Sequence, residues 1–264
     1  MTWTMLDHPA WDLASAPPAR AARTSSGTWL LTAPEYTVTL VAGGGSPPTV
    51  DVYEASRLDD SLLPPGLAQA LRSLGHVQRV RTADLWEALA TAIVRTVIQA
   101  KQARRMHRAF RDAVGQPVGA QALTPTAKQV LALDEEEFTA LGMAFKRAPL
   151  QAAAHAYLTH QARWAQLPPD VLIKELQTVP GIGPWTAGAA VADHTGNFAF
   201  YPYADLAVRT WAKQADPATT WPADERSFAA TWRLLGGPHL SVLTVLTLAW
   251  GDHHARSDQG SKHR

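Results

Sequence analysis

No cysteine occurs in the 264 residues. That excludes a disulfide scaffold, a thiol nucleophile, zinc held by thiolates and an iron–sulfur cluster ligated by cysteine. Charge is also scarce, 18% against 46% hydrophobic residues, the reverse of the balance that keeps a chain disordered. Neither sign dominates: 24 Lys+Arg face 23 Asp+Glu, so total charge names no partner. No apolar run approaches the ~20 residues of a membrane-spanning helix. The opening stretch MTWTMLDHPAWDLASAPPAR lacks the basic and apolar regions of a secretory signal, and a soluble, cytoplasmic protein is expected. No phosphate-binding glycine loop, dinucleotide motif or Ser-His-Asp arrangement stands out. The histidines are scattered except for Asp252-His253-His254. Adjacent positions do not share a helix face, so no metal site is expected there.

What is present is helix. Residues 1–27, with Pro17, Pro18, Ser25 and Ser26, show little periodicity and read as a loosely ordered lead-in. Over 28–55 the segments GTWLLTA, EYTVTLVA and TVDVY alternate or run apolar around the turn Gly43–Pro48, which predicts a small antiparallel sheet. From Pro64 onward helical spacing takes over. A long helical run over 83–115 carries Leu85, Leu89, Ile93 and Val97 in register. Further helices are expected near 126–132, 134–144, 146–164, 169–178, 184–193, 205–215, 223–235 and 239–250. The reading is a mostly α protein: an N-terminal β-bearing part over 1–75, an all-α region over 76–254 and a flexible tail over 255–264.

Three features bear chemistry. The first is Pro180-Gly181-Ile182-Gly183-Pro184-Trp185-Thr186-Ala187. The two glycines suit a tight turn, Ile182 is an apolar peg, and Pro184 occupies the first position of a helix. Backbone amides left bare at such a helix start bind anions, phosphate included. The plain alternative is a helix corner with glycine chosen for the bend. The second is a basic run: Lys101, Arg104, Arg105 and Arg108 fall on one helical face, either a solvated face or one for a polyanion. Arg supplies 18 of the 24 basic groups, and its planar fork suits phosphate. The third is Asp205, 20 positions after Trp185, where an Asp would serve as the N-cap of DLAVRTWAKQ.

The string PGIGPWTA, followed at this distance by Tyr201-Pro202-Tyr203-Ala204-Asp205, resembles the helix-hairpin-helix base-excision DNA glycosylases, with the nearest likeness to the monofunctional 3-methyladenine glycosylase II type. LWEALATAIVRTVIQAKQA and PPDVLIKEL are similar to further helices of that family, and the likeness spans about residues 80–254. It implies a helix-hairpin-helix glycosylase fold and a partner in double-stranded DNA, worked on by a monomer and, in a prokaryote, at the nucleoid. It implies backbone contacts from Gly181, Ile182, Gly183, Pro184 and Thr186, supported by Arg104 and Arg105. Asp205 becomes the catalytic carboxylate. Trp185, Trp250 and Tyr203 become candidates for the base pocket, although Trp250 also reads as a core residue. Thr96 and Val97 fall where relatives carry the side chain that fills the gap left by a flipped base. Here the chain departs from the family, with Arg95-Thr96-Val97 in place of a small residue, Gln and an apolar wedge. Bifunctional members carry a lysine where this chain has Trp185, so hydrolysis without strand cleavage is expected. No cofactor or metal is expected, apart from the monovalent cation that hairpin carbonyls hold in some relatives.

Overall fold

The computed structural model describes residues 2–261, with 255–261 as backbone alone. Its strands are β1 (Thr2–Thr4), β2 (Ala19–Arg23), β3 (Thr28–Thr32), β4 (Thr39–Gly43), β5 (Val50–Glu54), β6 (His76–Val80), β7 (Pro117–Val118) and β8 (Gln121–Ala122). Its helices are α1 (Pro65–Arg72), α2 (Leu85–Arg95), α3 (Ala100–Val114), α4 (Ala127–Ala132), α5 (Glu135–Ala140), α6 (Arg147–Trp164), α7 (Pro169–Leu176), α8 (Pro184–Thr195), α9 (Leu206–Ala215), α10 (Glu225–Gly236) and α11 (Leu240–Ser261). The mostly α class with small sheets is as expected. The chain divides into two compact units, one of Met1–Asp7, Val50–Arg79 and Asn197–Arg264, the other of His8–Thr49 and Val80–Gly196. Residues 1–75, expected to form one part, are thus shared between both.

In the second unit β2, β3 and β4 form an antiparallel sheet. The β3–β4 pairing matches expectation, but β2 lies in the supposed lead-in. Its sequence, Ala-Arg-Ala-Ala-Arg, has no β-branched or aromatic residue to announce a strand. Register holds it instead, from Ala19 opposite Thr32 to Arg23 opposite Thr28. Arg20 is buried and meets buried Glu87 at 3.5 Å and Thr82 Oγ1 at 3.2 Å. Desolvation raises the Glu87 pKa against the pull of Arg20.

The heart of this unit is α2, whose residues from Leu85 to Val94 are all buried. Asp84 caps it, accepting from the Trp86 amide at 2.9 Å. The small side chains of α8, buried from Thr186 to Asp193, pack against α2, since small residues let two helix backbones approach. The run expected to be helical over 83–115 breaks between Arg95 and Ala100. Val97 there has φ +61°, a left-handed conformation that a β-branched residue rarely adopts.

In the first unit β6 is flanked by β1, in parallel, and by β5. Residues 49–53 were expected to return onto β4. They pair with β6 instead, and Ala55 N donates to Gly75 O just beyond β5. Met5 and Leu6, also in the supposed lead-in, are buried. Helices α9, α10 and α11 follow at the expected places. The stretch Glu225–His254 has the length and apolar character of a membrane-crossing segment. It is two helices broken at Gly237-Pro238, however, and Trp232, Leu243, Val245 and Leu246 are buried in the protein. Helix α11, expected to end near 250, continues to Ser261, and residues 262–264 of the expected tail lie outside the described residues.

Candidate functional site

The hairpin is built as the glycines suggest. Beyond α7 the chain closes a turn in which Ile182 N donates to Val179 O at 3.0 Å, and Ile182 is buried. Gly181 has φ +83°, and a Cβ there would stand 2.8 Å from the Pro149 Cβ. Two reasons therefore demand glycine at 181. Gly183 differs: its φ is −86°, and nothing lies within 4 Å of a Cβ built on it. Its bareness serves neither the turn nor the packing, and it leaves the N-terminus of α8 open. Pro184 begins that helix, and no side chain caps it, so its first amides keep their hydrogen-bonding capacity. Thr186 was expected among the DNA contacts of the hairpin. It is buried at 3% exposure, which leaves only its amide for an anion.

Trp185 is half-buried on the first turn of α8, with the Arg95 guanidinium 5.8 Å from its ring. Arg95 also reaches Asp193 at 3.6 Å. The chain then leaves α2 through Thr96 and Val97, which have opposite fates. Thr96 is tied down, its Oγ1 donating to Ile93 O and accepting from Lys146 Nζ at 2.9 Å. It is a turn-holding residue and not free to enter a duplex. Val97 is 98% exposed. Of the pair expected to fill a helix gap, only Val97 is presented.

The basic run on α3 also divides. Arg108 is engaged by Asp12 at 3.0 Å and by Asp112 at 3.5 Å. Arg111 is buried and donates to the carbonyls of Ala10 and Ala122. Lys101 and Arg105 are exposed and Arg104 is half-exposed.

In the first unit Asp205 precedes α9. It occupies the N-cap position, but its side chain accepts no capping hydrogen bond from the helix. The cap expected from sequence is not made. Its Oδ2 accepts instead from the Tyr201 hydroxyl at 3.1 Å. Tyr201 is itself fixed: buried, its ring stacks on Phe198 at 5.7 Å, and Phe198 meets Tyr53 edge-on. The turn hydrogen bonds Tyr203 N to Tyr201 O and Asp205 N to Pro202 O complete the loop. Asp205 is thus a half-exposed carboxylate held by a rigid phenol. The spacing of Tyr201 from Asp205 carries no sign of this role.

The other aromatic candidates are engaged elsewhere. Tyr203 is buried, and its hydroxyl accepts from Arg233, whose guanidinium also stands 5.7 Å from the ring. It braces α10 and cannot line a base pocket. Trp250 stacks on His254 at 3.7 Å and borders an open cavity of about 710 Å³ with Thr210, Lys213, Gln214 and Pro217. That face belongs to the C-terminal half of α9, and Lys213 stands about 12 Å along the helix from Asp205 at 1.5 Å per residue. Among the described residues no three His, Asp or Glu side chains converge on a metal position.

No known protein-family pattern matches the chain, and no curated protein matches it. Solved structures do. MBOgg1 in complex with a low-affinity DNA ligand superposes with a TM-score of 0.68 at 14% identity, covering 96% of this chain and 91% of that one. The 8-oxoguanine glycosylase/lyase of Clostridium acetobutylicum, in complex with double-stranded DNA containing cytosine opposite 8-oxoguanine, gives 0.67 at 13% identity over 96% and 90%. The 3-methyladenine DNA glycosylase of Archaeoglobus fulgidus gives 0.62 at 16% identity over 89% and 87%. The chain has the DNA glycosylase fold. The likeness extends over 96% of the chain, well beyond the span of about 80–254 suggested by sequence.

Proposed function

We propose that this protein is a monofunctional DNA glycosylase that hydrolyses the N-glycosidic bond of damaged purines, alkylated ones above all, in duplex DNA. The observation that carries this reading is Asp205, placed where an Asp would normally cap a helix but held by Tyr201 instead. N-glycosidic cleavage develops an oxocarbenium-like sugar. A fixed carboxylate near that centre stabilises the positive charge as it forms and orients the attacking water. The hairpin supports the DNA part of the reading. Uncapped amides at the start of α8 suit a phosphate, with Gly181, Ile182, Gly183 and Pro184 shaping the approach and Arg104 and Arg105 adding charge along the backbone. Val97 fills the duplex where the damaged nucleotide leaves it, and Trp185 is the aromatic that faces the base. A monovalent cation would sit on the hairpin carbonyls, among them Val179 O. That oxygen already accepts from Ile182 N but keeps a second lone pair. Such a cation would add positive charge beside the phosphate. The protein would act as a monomer in the cytoplasm.

The test is release of free base from duplexes carrying methylated purines or 8-oxoguanine, each followed by alkali to reveal abasic sites. Methylated DNA is expected to release base, and 8-oxoguanine DNA little. Binding to damaged DNA with no release from either duplex would make the protein a non-catalytic recognition module.

The hairpin gives a separable prediction. Gly183→Ala should leave thermal stability unchanged, because the new methyl meets open space and φ is ordinary. It should weaken binding to damaged and undamaged duplex alike, since the methyl intrudes between amides and phosphate. Replacing Arg104 and Arg105 by Ala should flatten the salt dependence by about one unit of log–log slope for each phosphate no longer neutralised. Unchanged affinity and slope across all three changes would remove the proposed DNA face.

A further inference from the structure

Lys146 belongs to none of the roles assigned so far. It lies in the short turn before α6 and is buried at 4% exposure. Its Nζ donates to Ile93 O at 2.8 Å, Thr96 O at 2.6 Å and Thr96 Oγ1 at 2.9 Å. An ammonium has three protons, and each has an acceptor at the C-terminal end of α2. Helix ends leave carbonyls unpaired, and those that finish with a left-handed residue usually place glycine there, often with ordinary backbone hydrogen bonds to close the turn. This chain has no glycine there, and its backbone closure is the single long bond from Thr96 N to Ile93 O at 3.3 Å. The residue after the C-cap Thr96 is Val97, left-handed, β-branched and 98% exposed. A strained conformation of this kind persists only where its surroundings over-determine it. The surroundings here are Lys146, which fixes the backbone carbonyl immediately before Val97 and the turn one step earlier.

Stability alone does not account for the arrangement. Burial pulls the Lys146 pKa down to about 8, which means that keeping the ammonium there works against folding. A glycine at 97 would adopt the same left-handed conformation with less strain. The geometry preserves an exposed side chain on a rigid support.

We propose that Lys146 is the positioning residue of the duplex-filling step: through Ile93 O, Thr96 O and Thr96 Oγ1 it holds the end of α2 so that Val97 projects ready to enter the gap left by a flipped nucleotide. This rests on Val97 being the residue that fills the duplex. Lys146 itself touches neither the base nor the sugar in this account. Its contribution is preorganisation, and it should appear in discrimination between gapped and intact duplex, with little effect on general affinity for DNA.

The experiment measures Kd for a duplex containing a tetrahydrofuran abasic analogue and for the same duplex undamaged, and takes their ratio. Val97→Gly should lower the preference for the gapped duplex by about tenfold. Lys146→Met keeps the packed stem but removes the donors, and should lower the preference by a similar factor, the scale of one charge-assisted hydrogen-bond set. Lys146→Arg should retain most of it. Thr96→Val, which removes one acceptor and little volume, should cost about threefold, and it serves as the readout if Lys146→Met does not fold by circular dichroism. In the double variant Val97→Gly with Lys146→Met the loss should be no greater than in Val97→Gly alone, because both changes act on one step. Undamaged-duplex affinity should stay constant throughout. If Val97→Gly has no effect, the duplex-filling reading falls and this proposal falls with it. If Val97→Gly lowers the preference but Lys146→Met and Thr96→Val do not, or if the double loss is additive, only the role of Lys146 is overturned.

Discussion

Asp205→Asn is expected to slow base release by at least about 100-fold while changing the Kd for damaged duplex by less than about threefold, because the interaction removed exists mainly in the transition state. Asn keeps the size and can still accept from the Tyr201 hydroxyl through its carbonyl oxygen, so the loop Tyr201–Asp205 should stay in place. Only the negative charge disappears. Asp205 makes no side-chain cap, and so the usual objection to this substitution, a helix weakened by loss of its cap, does not apply. Tyr201→Phe supplies the complementary measurement. It removes the hydroxyl that holds Oδ2 at 3.1 Å while retaining the ring stacked on Phe198. Release should fall less than in Asp205→Asn, since the charge remains but its orientation is looser. Single-turnover rates at saturating enzyme separate these effects from binding. Parallel loss of affinity and rate in Asp205→Asn would make the residue a structural one and remove the proposed chemistry.

How much of this was legible in the sequence depends on the range of the interaction concerned. The hairpin was legible because its signals are local: glycine where φ is positive, proline at the first helical position, an apolar peg between. The helices from α4 to α10 fall close to their expected bounds for the same reason, each punctuated by Pro, Gly or an acidic cap. Strand β2 was not legible, since Ala and Arg carry no strand preference and pairing with β3 decides its conformation. The pairing of β5 with β6 depends on residues more than twenty positions apart, and alternation alone could not choose between β4 and β6 as its neighbour. The break after α2 was hidden too. Leu85, Leu89, Ile93 and Val97 follow one helical period, but the helix ends at Arg95, where the carbonyls of Ile93 and Thr96 accept from Lys146, a partner 53 and 50 positions away that no local pattern announces. The candidate site divides similarly. The hairpin glycines were found from their local pattern and Asp205 from the family resemblance, whereas the engagement of Tyr203 and Arg108 elsewhere is tertiary; the bond from Tyr201 to Asp205 is local, but no turn or cap rule announces it.

Borohydride present during turnover is expected to trap no covalent protein–DNA adduct above background, and product strands should stay intact until treated with alkali. Strand cleavage through a Schiff base requires a primary amine that can shed its proton and reach C1′. Trp185 stands where the resemblance of PGIGPWTA implies a lysine in bifunctional glycosylases, and no lysine occurs anywhere in 179–204. Burial draws the Lys146 pKa down to about 8. All three Lys146 protons are, however, directed at the end of α2, so attack on a sugar would require it to abandon those acceptors. Lys174 and Lys213 are exposed on helix surfaces. Efficient trapping would therefore contradict the monofunctional assignment in a way that can be traced. Loss of the adduct in Lys146→Met would mean that the α2 end opens during turnover and that Lys146 is a nucleophile, while loss in Lys213→Ala or Lys174→Ala would place the reactive amine on α9 or α7. With no adduct in the wild type, the hydroxyl added to C1′ comes from water, and the carboxylate of Asp205 is left as the group that stabilises the sugar cation while it arrives.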